Sequence, residues 1–229
     1  MPQSAHRVTD DPSAYLDPTW FIDSDHPRVA DAAERAAGDA TDAHALVGRL
    51  YRTVRDGVRY NPYAMRMDAE SFRASDALAS GGTWCVPKAV LLTAMARARG
   101  VPGRVGFADV RNHLSTEKLA ARMGDDVFIW HGYCELYVNG RWLKATPAFN
   151  AELCARFGVP PLEFDGTQDA LMHAFDGAGS QFMEYLNDRG AFADVPYERL
   201  MADFQAYYPG MMAAVRAGTV GEESDTFVP

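Results

Sequence analysis

Two residues of this sequence combine the types and settings that nucleophilic chemistry needs, Cys85 and His131. Cys85 follows Gly81-Gly82-Thr83-Trp84 and opens the run CVPKAVLLTAMARARG, so its thiol stands at the first turn of an apolar helix. Unpaired backbone N–H groups and the helix dipole favour an anion there, which predicts a thiol that ionises below its ordinary range. The glycines leave the backbone room at the helix start, as a nucleophile loop requires. The plainer reading, a small buried side chain, suffices for Cys134 and Cys154, which lack such a lead-in.

His131 opens the longest strand candidate, and a helix start packed across such a strand can bring thiol and imidazole within hydrogen-bond range. His113, closing VRNH, is the rival base. His6, His26, His44 and His173 lie in loops or helices, where solvated or packing roles are commoner. An imidazole works better as a base when a third group fixes its tautomer. Asp109, near the end of the preceding strand, and Thr146, at the end of the following one, both fall near the start of the middle strand. Only Asp109 carries a charge; its competing reading is an ion pair with Arg104 or Arg111, and Asn150 is a weaker substitute. For the oxyanion of acyl transfer the candidate donors are the Cys85 backbone N–H and the Trp84 indole, although plain packing is the commoner role for the latter.

These residues need elements to hold them. TDAHALVGRLYRTVRDG places Ala45, Leu46, Leu50, Tyr51 and Val54 at helical spacing, with Thr41 as the cap and Gly57 as the stop. ASDALAS reads as a short helix. The helix from Cys85 to Arg99 is apolar nearly all round, hence buried, and ends at Gly100 and Pro102. Strands are expected over 104–110, 127–138 and 141–146, the last two joined by Asn139-Gly140, so the three form an antiparallel meander. Ser115 to Met123 reads as a helix over the sheet edge, and further helices are expected around 151–157, 180–189 and 196–208. The whole chain, 1–229, reads as one domain: an arm over 1–27, a core over 41–150, a helical segment over 151–216 and a tail over 217–229.

Composition narrows the function classes. Twenty-two basic against 31 acidic residues give a net charge of −9, which disfavours a broad surface for nucleic acid or an anionic membrane. No stretch approaches a membrane span, and Met1 to Pro18 has no apolar run of a secretion signal. Three cysteines without CxxC spacing fit neither a disulfide framework nor a zinc site, which points to a reducing, cytoplasmic setting. No motif calls for a metal or an organic cofactor, and none is expected.

Across residues 45 to 150 the segments ALVGRLYRTVRDGVRY, ASDALASGGTWCVPKAVLLTAMARARGVPGRV and HGYCELYVNGRWLKATP resemble the transglutaminase-like superfamily. The resemblance implies an α+β fold, a transglutaminase-like (papain-like) core with a buried nucleophile helix on an antiparallel meander and extra helices at both ends. It makes Cys85 the nucleophile, His131 the base of a His-x-aromatic-x-Glu strand completed by Tyr133 and Glu135, and Trp142 the aromatic of the next strand. The family's Asp-Pro is here Thr146-Pro147, so the usual third member is missing. The Dieckmann cyclases of this superfamily are similar in placing an Asp in the preceding strand, as GFADV does with Asp109. On that likeness Cys85 would accept an acyl chain from a carrier-protein or small-molecule thioester, and a substrate carbanion would then displace the thiolate, closing a tetramic-acid-type ring.

The alternatives are an amidase or peptidase using the same dyad, and a binding module that kept the fold without chemistry. Thioesters are already activated, so the loss of the Asp tilts the reading toward them. The apolar C-terminal residues Phe175, Phe182, Met183, Tyr185, Phe204, Tyr207 and Tyr208 are candidates to line an acyl cleft, with core packing as their default explanation.

Overall fold

The computed structural model describes residues 9–112, 124–171 and 183–217. The expected arm packs down rather than fraying from Thr9 onward: Tyr15, Phe21 and Ile22 are buried. It leads into α1 (Pro27–Ala37), capped by His26, whose Nδ1 accepts the Arg28 N–H at 3.3 Å. The next helix, α2 (Ala43–Gly57), is capped by Asp42 rather than Thr41, with the carboxylate accepting the Ala45 N–H at 2.9 Å. A two-residue parallel pair, β1 (Arg59–Tyr60) with β2 (Gly82–Thr83), brackets α3 (Ala74–Ser80) and delivers the chain to α4 (Cys85–Ala98).

Every residue of α4 from Cys85 to Arg97 is buried, as an apolar circumference demands, and α1, α2, α3 and the sheet pack around it. One of these residues is Lys88, whose ammonium donates to the carbonyls of Arg55 (2.8 Å) and Val58. Those are the orphan acceptors at the end of α2, where a cation also meets the negative pole of the helix. Burial pushes the Lys88 amine down to about 7.

The sheet runs β5-β4-β3-β6, all neighbours antiparallel, with β3 (Gly103–Asn112), β4 (Val127–Val138), β5 (Arg141–Ala145) and β6 (Met183–Phe192). Asn139 and Gly140 take φ values of 47° and 88°, the doubly left-handed turn that matches strand twist. The meander therefore stands as expected. The helix expected over 180–189 does not: 183–192 is a strand paired with β3 from Val105 to Asn112. Its composition is mixed and its pattern weakly alternating, so the pairing with β3, a tertiary effect, decides its conformation.

Beyond β5 come α5 (Ala151–Arg156), α6 (Tyr197–Tyr207) and α7 (Pro209–Arg216). The helix expected over Ser115 to Met123 lies outside the described residues, as does nearly all of the tail. One apolar cluster runs from Phe21 to Met212 around α4, and a smaller one, with Ala108, Val110, Tyr133, Cys154, Val159 and Met183, lies apart from it. Among the described residues no helix is long and apolar enough to cross a membrane.

Candidate active site

Trp84 precedes α4 without offering a side-chain cap, which leaves the first N–H groups of the helix open beside Cys85. The thiol is buried, and the N–H groups of Gly132, Val86 and Cys85 itself face the sulfur. These dipoles favour the thiolate, yet burial outweighs them and pushes the thiol up to about 11. The expected depression is thus reversed: the helix start is as predicted, but it is closed off from water.

Gly132 makes the approach to β4 possible. A Cβ there would stand 2.8 Å from Val86 Cα, so any larger residue would drive backbone from backbone. Cys85 and His131 are each the neighbour of a residue in this contact, although no hydrogen bond joins thiol to imidazole. His131 Nε2 is buried and unpartnered, and burial alone lowers the imidazole to about 4. At neutral pH the two groups rest as neutral thiol and neutral imidazole.

His131 borders a small cleft shared with Thr146, Ala148, Phe149, Leu171 and Met183. The Thr146 hydroxyl is also buried without a partner, so two unsatisfied polar atoms border one otherwise apolar cleft. Phe149 meets the Tyr60 ring edge-on at 4.8 Å, and Tyr60 is close enough to Cys85 for the thiolate's charge to raise its hydroxyl further. Asn150 is engaged elsewhere, its Oδ1 accepting the Tyr60 N–H at 3.2 Å.

Asp109 lies beside the start of β4, as expected, but does not bond to His131. In the β3–β4 register Ala108 faces His131, and a bulge between Ala108 and Val110 turns Asp109 away. Its carboxylate accepts the Trp130 N–H (3.1 Å), Asn187 Nδ2 (3.2 Å) and Arg189 Nε (2.5 Å). The ion pair is therefore with Arg189 of β6. Arg104 is taken by Glu135 at 2.6 Å while lying over the Trp142 ring, and Arg111 by Asp126 and Glu184.

Trp84 sits in an aromatic cluster, 5.5 Å from Phe72 and 6.0 Å from Phe204 between ring centroids, which is the packing position. Cys134 and Cys154 are buried, their sulfurs near the Ala145 and Phe149 carbonyls. His44 binds the Gly166 carbonyl and Asn139 far along the chain, and His6, His113 and His173 lie outside the described residues. Of the proposed cleft-lining aromatics, Phe204 and Tyr208 are buried in the main core and Tyr185 and Tyr207 are partly exposed, which leaves Met183 at the cleft; Phe175 and Phe182 lie outside the described residues. Gly132, Arg189 and Lys88 are the residues sequence reasoning missed. The small residue inside HGY was the available signal for the first.

The profile of the transglutaminase-like superfamily matches residues 30–147, more than half the chain and the span that holds Cys85, Asp109, His131 and Thr146. The chain belongs to the transglutaminase-like superfamily. No curated protein matches it. Among solved structures it resembles a candidate cysteine protease from Cytophaga hutchinsonii, at 16% identity and TM-score 0.45, over 80% of this chain and 55% of that one. It also resembles a candidate protease from Parabacteroides distasonis, at 17% identity and TM-score 0.39, over 58% of this chain and 25% of that one. This transglutaminase-like chain thus spans about half of the first of these proteins and a quarter of the second.

Proposed function

We propose that this protein is a thiol acyl-transfer enzyme, with Cys85 as nucleophile, His131 as proton carrier and Asp109 holding His131 in place through the Trp130 backbone. The observation that carries the reading is Cys85 at the uncapped start of a buried helix, its sulfur against the N–H of Gly132, the residue next to His131. The thiol passes its proton to the imidazole as the S–C bond forms. The carbonyl oxygen becomes an oxyanion, for which the Cys85 N–H and the Thr146 hydroxyl are the candidate donors. Collapse then expels the leaving group and leaves the acyl chain on Cys85.

The leaving group is best a thiolate. With no carboxylate bonded to it and burial lowering it to about 4, the imidazolium is weakly stabilised and brief. An amine must be protonated by that imidazolium before it departs, whereas a carrier thiolate departs unaided and takes up the proton afterwards, which returns His131 to the neutral base. The finer form of the proposal is a Dieckmann cyclisation. His131 removes a proton from the active methylene of the bound acyl chain, and the carbanion attacks the acyl–sulfur carbonyl. A C–C bond forms, the C–S bond breaks, and the proton returns to the Cys85 thiolate as a tetramic-acid-type ring leaves. Carrier-bound chains and small thioesters are the substrates this chemistry admits, and three free thiols suit a reducing compartment such as the cytoplasm.

A second reading, amide hydrolysis by the same pair, draws on the unpartnered Thr146 hydroxyl, which borders the same cleft as His131 and could serve as its orienting acceptor. Intact-protein mass spectrometry after incubation with a β-ketoacyl-aminoacyl thioester mimic separates these, wild type beside Cys85→Ala. An acyl adduct on wild type only, together with a cyclic product, is the expected result. Adduct with free acid as the sole product transfers the case to hydrolysis, and no adduct at all leaves a binding module of this fold.

A further inference from the structure

The residue before the proposed base is held in an unusual conformation. Trp130 has φ 59°, a left-handed value that bulky L-residues rarely adopt. Its N–H donates to Asp109 Oδ1 at 3.1 Å, and its indole Nε1–H donates to Asp203 Oδ2 at 2.8 Å. Arg189 lies over the indole at 4.6 Å and bridges both carboxylates, Nε to Asp109 at 2.5 Å and a terminal nitrogen to Asp203 at 2.7 Å. Arg199 is a second cation at the same ring, 5.5 Å from its centroid, and Phe107 and Phe192 pack on it at 5.1 and 6.2 Å.

Such a clamp is more than the burial of a tryptophan requires. An indole N–H needs one acceptor, and apolar neighbours suffice for the ring. Here β6 supplies Arg189, which pairs with Asp109 at the β3 bulge, and α6 supplies Asp203, which pairs with Arg189 and takes the indole N–H, so that all three groups converge on the residue whose backbone sets where the next side chain points. A left-handed residue inside a strand breaks the alternation of side chains, so relaxing Trp130 to an extended conformation would swing His131 out of its present direction.

We infer that Arg189 and Asp203 are positioning residues for His131: with Asp109 they hold Trp130 in its left-handed conformation and so aim the imidazole into the cleft. This rests on the reading of His131 as proton carrier, and the experiment keeps the two apart.

The variants are Arg189→Met and Asp203→Asn, the latter keeping an acceptor for the indole while removing its charge. The control is Arg111→Met, which removes ion pairs on the same sheet without touching Trp130. Three quantities are read for each: kcat and KM with the thioester mimic, the NMR titration of the His131 imidazole, and thermal unfolding. Arg189→Met should lower kcat about a hundredfold, as misplacement of a reacting group does, with KM changed no more than roughly twofold. The His131 titration should move up from near 4 as the ring leaves its buried setting. Asp203→Asn should show the same changes more weakly, and Arg111→Met none.

A kcat within roughly twofold of wild type in both clamp variants overturns the inference. So does a kcat that falls while the His131 titration stays put, since the loss then arises elsewhere. If Arg189→Met does not fold, Asp203→Asn decides by the same readings. If wild type shows no Cys85-dependent turnover, the functional reading fails, and the titration alone still decides whether the clamp sets His131.

Discussion

On the C-terminal side of His131, Gly132 brings the backbone of β4 against that of α4, with room for no Cβ beside Val86; on its N-terminal side, Trp130 is held by two carboxylates and two guanidinium groups. The first contact works by shape and has no soft component that could yield. The second works by charge, where the two signs largely compensate one another as long as both are present. His131 lies between them, so the two flanks can be loosened separately. Shape should then control whether the thiol reaches β4, and charge should control the direction of the imidazole.

The largest effect belongs to the shape side. Gly132→Ala must displace the start of α4, and overpacking of this kind costs about 3 kcal/mol. Because the displaced element carries Cys85, turnover should fall by about a hundredfold even where the protein stays folded. Chemical denaturation paired with alkylation of Cys85 checks this. A Gly132→Ala protein with wild-type stability and turnover would mean the contact is not tight.

The acid limb of stability comes next and belongs to neither flank alone. The folded imidazole sits near 4 against an ordinary value of 6.5, so as pH falls the unfolded chain takes up the proton first. The contribution is intact above pH 6.5 and is lost as pH drops toward 4, about 3 kcal/mol when complete. Lys88, lowered from 10.5 to about 7, loses its share earlier, as pH falls from about 10.5 to 7, so it does not enter this window. Unfolding free energies from pH 7 to 4 should fall more steeply for wild type than for His131→Gln, and parallel curves would place the imidazole in water.

The charge side should show the signature of compensation. Asp109→Ala leaves Arg189 and the Trp130 N–H without their carboxylate and should cost about 3 kcal/mol, the loss expected on breaking a buried pair. Asp109→Ala with Arg189→Met should cost less than the sum of the single changes, with a coupling of about 2 kcal/mol. A double-mutant cycle by urea unfolding measures it, and strict additivity would remove the charge argument. Asp109→Ala should also lower turnover far more than Thr146→Ala does.

What could be read in the sequence was local. The Asn139-Gly140 turn, the apolar circumference of α4 and the Gly-Gly-Thr-Trp entry to Cys85 each act within a few residues, and the meander follows from them. What escaped is set at long range. β6 is a strand because β3 offers it a ladder, Lys88 is buried because α2 ends above it, and Asp109 turns from His131 because of a bulge. The direction of the Cys85 shift was missed for a related reason: the helix start is visible in sequence, whereas the closure that desolvates it depends on Gly132 and the packing around β4.

The smallest expected effect lies outside both flanks, at Thr146 beside the His131 cleft. Its hydroxyl is buried without a partner, so the folded protein already bears the cost of desolvating it. Thr146→Val keeps the shape and removes that group, and the stability change should be neutral or a gain of no more than about 1 kcal/mol. Turnover separates the possible roles of the hydroxyl. If it binds substrate oxygen, KM rises or kcat falls in the valine variant while the His131 titration is unchanged. If it orients the imidazole during the reaction, the pH dependence of kcat shifts as well, and Thr146→Ser, which keeps the hydroxyl, restores both. A valine variant indistinguishable from wild type in stability, kcat and pH profile would leave the direction of His131 to the charged flank alone.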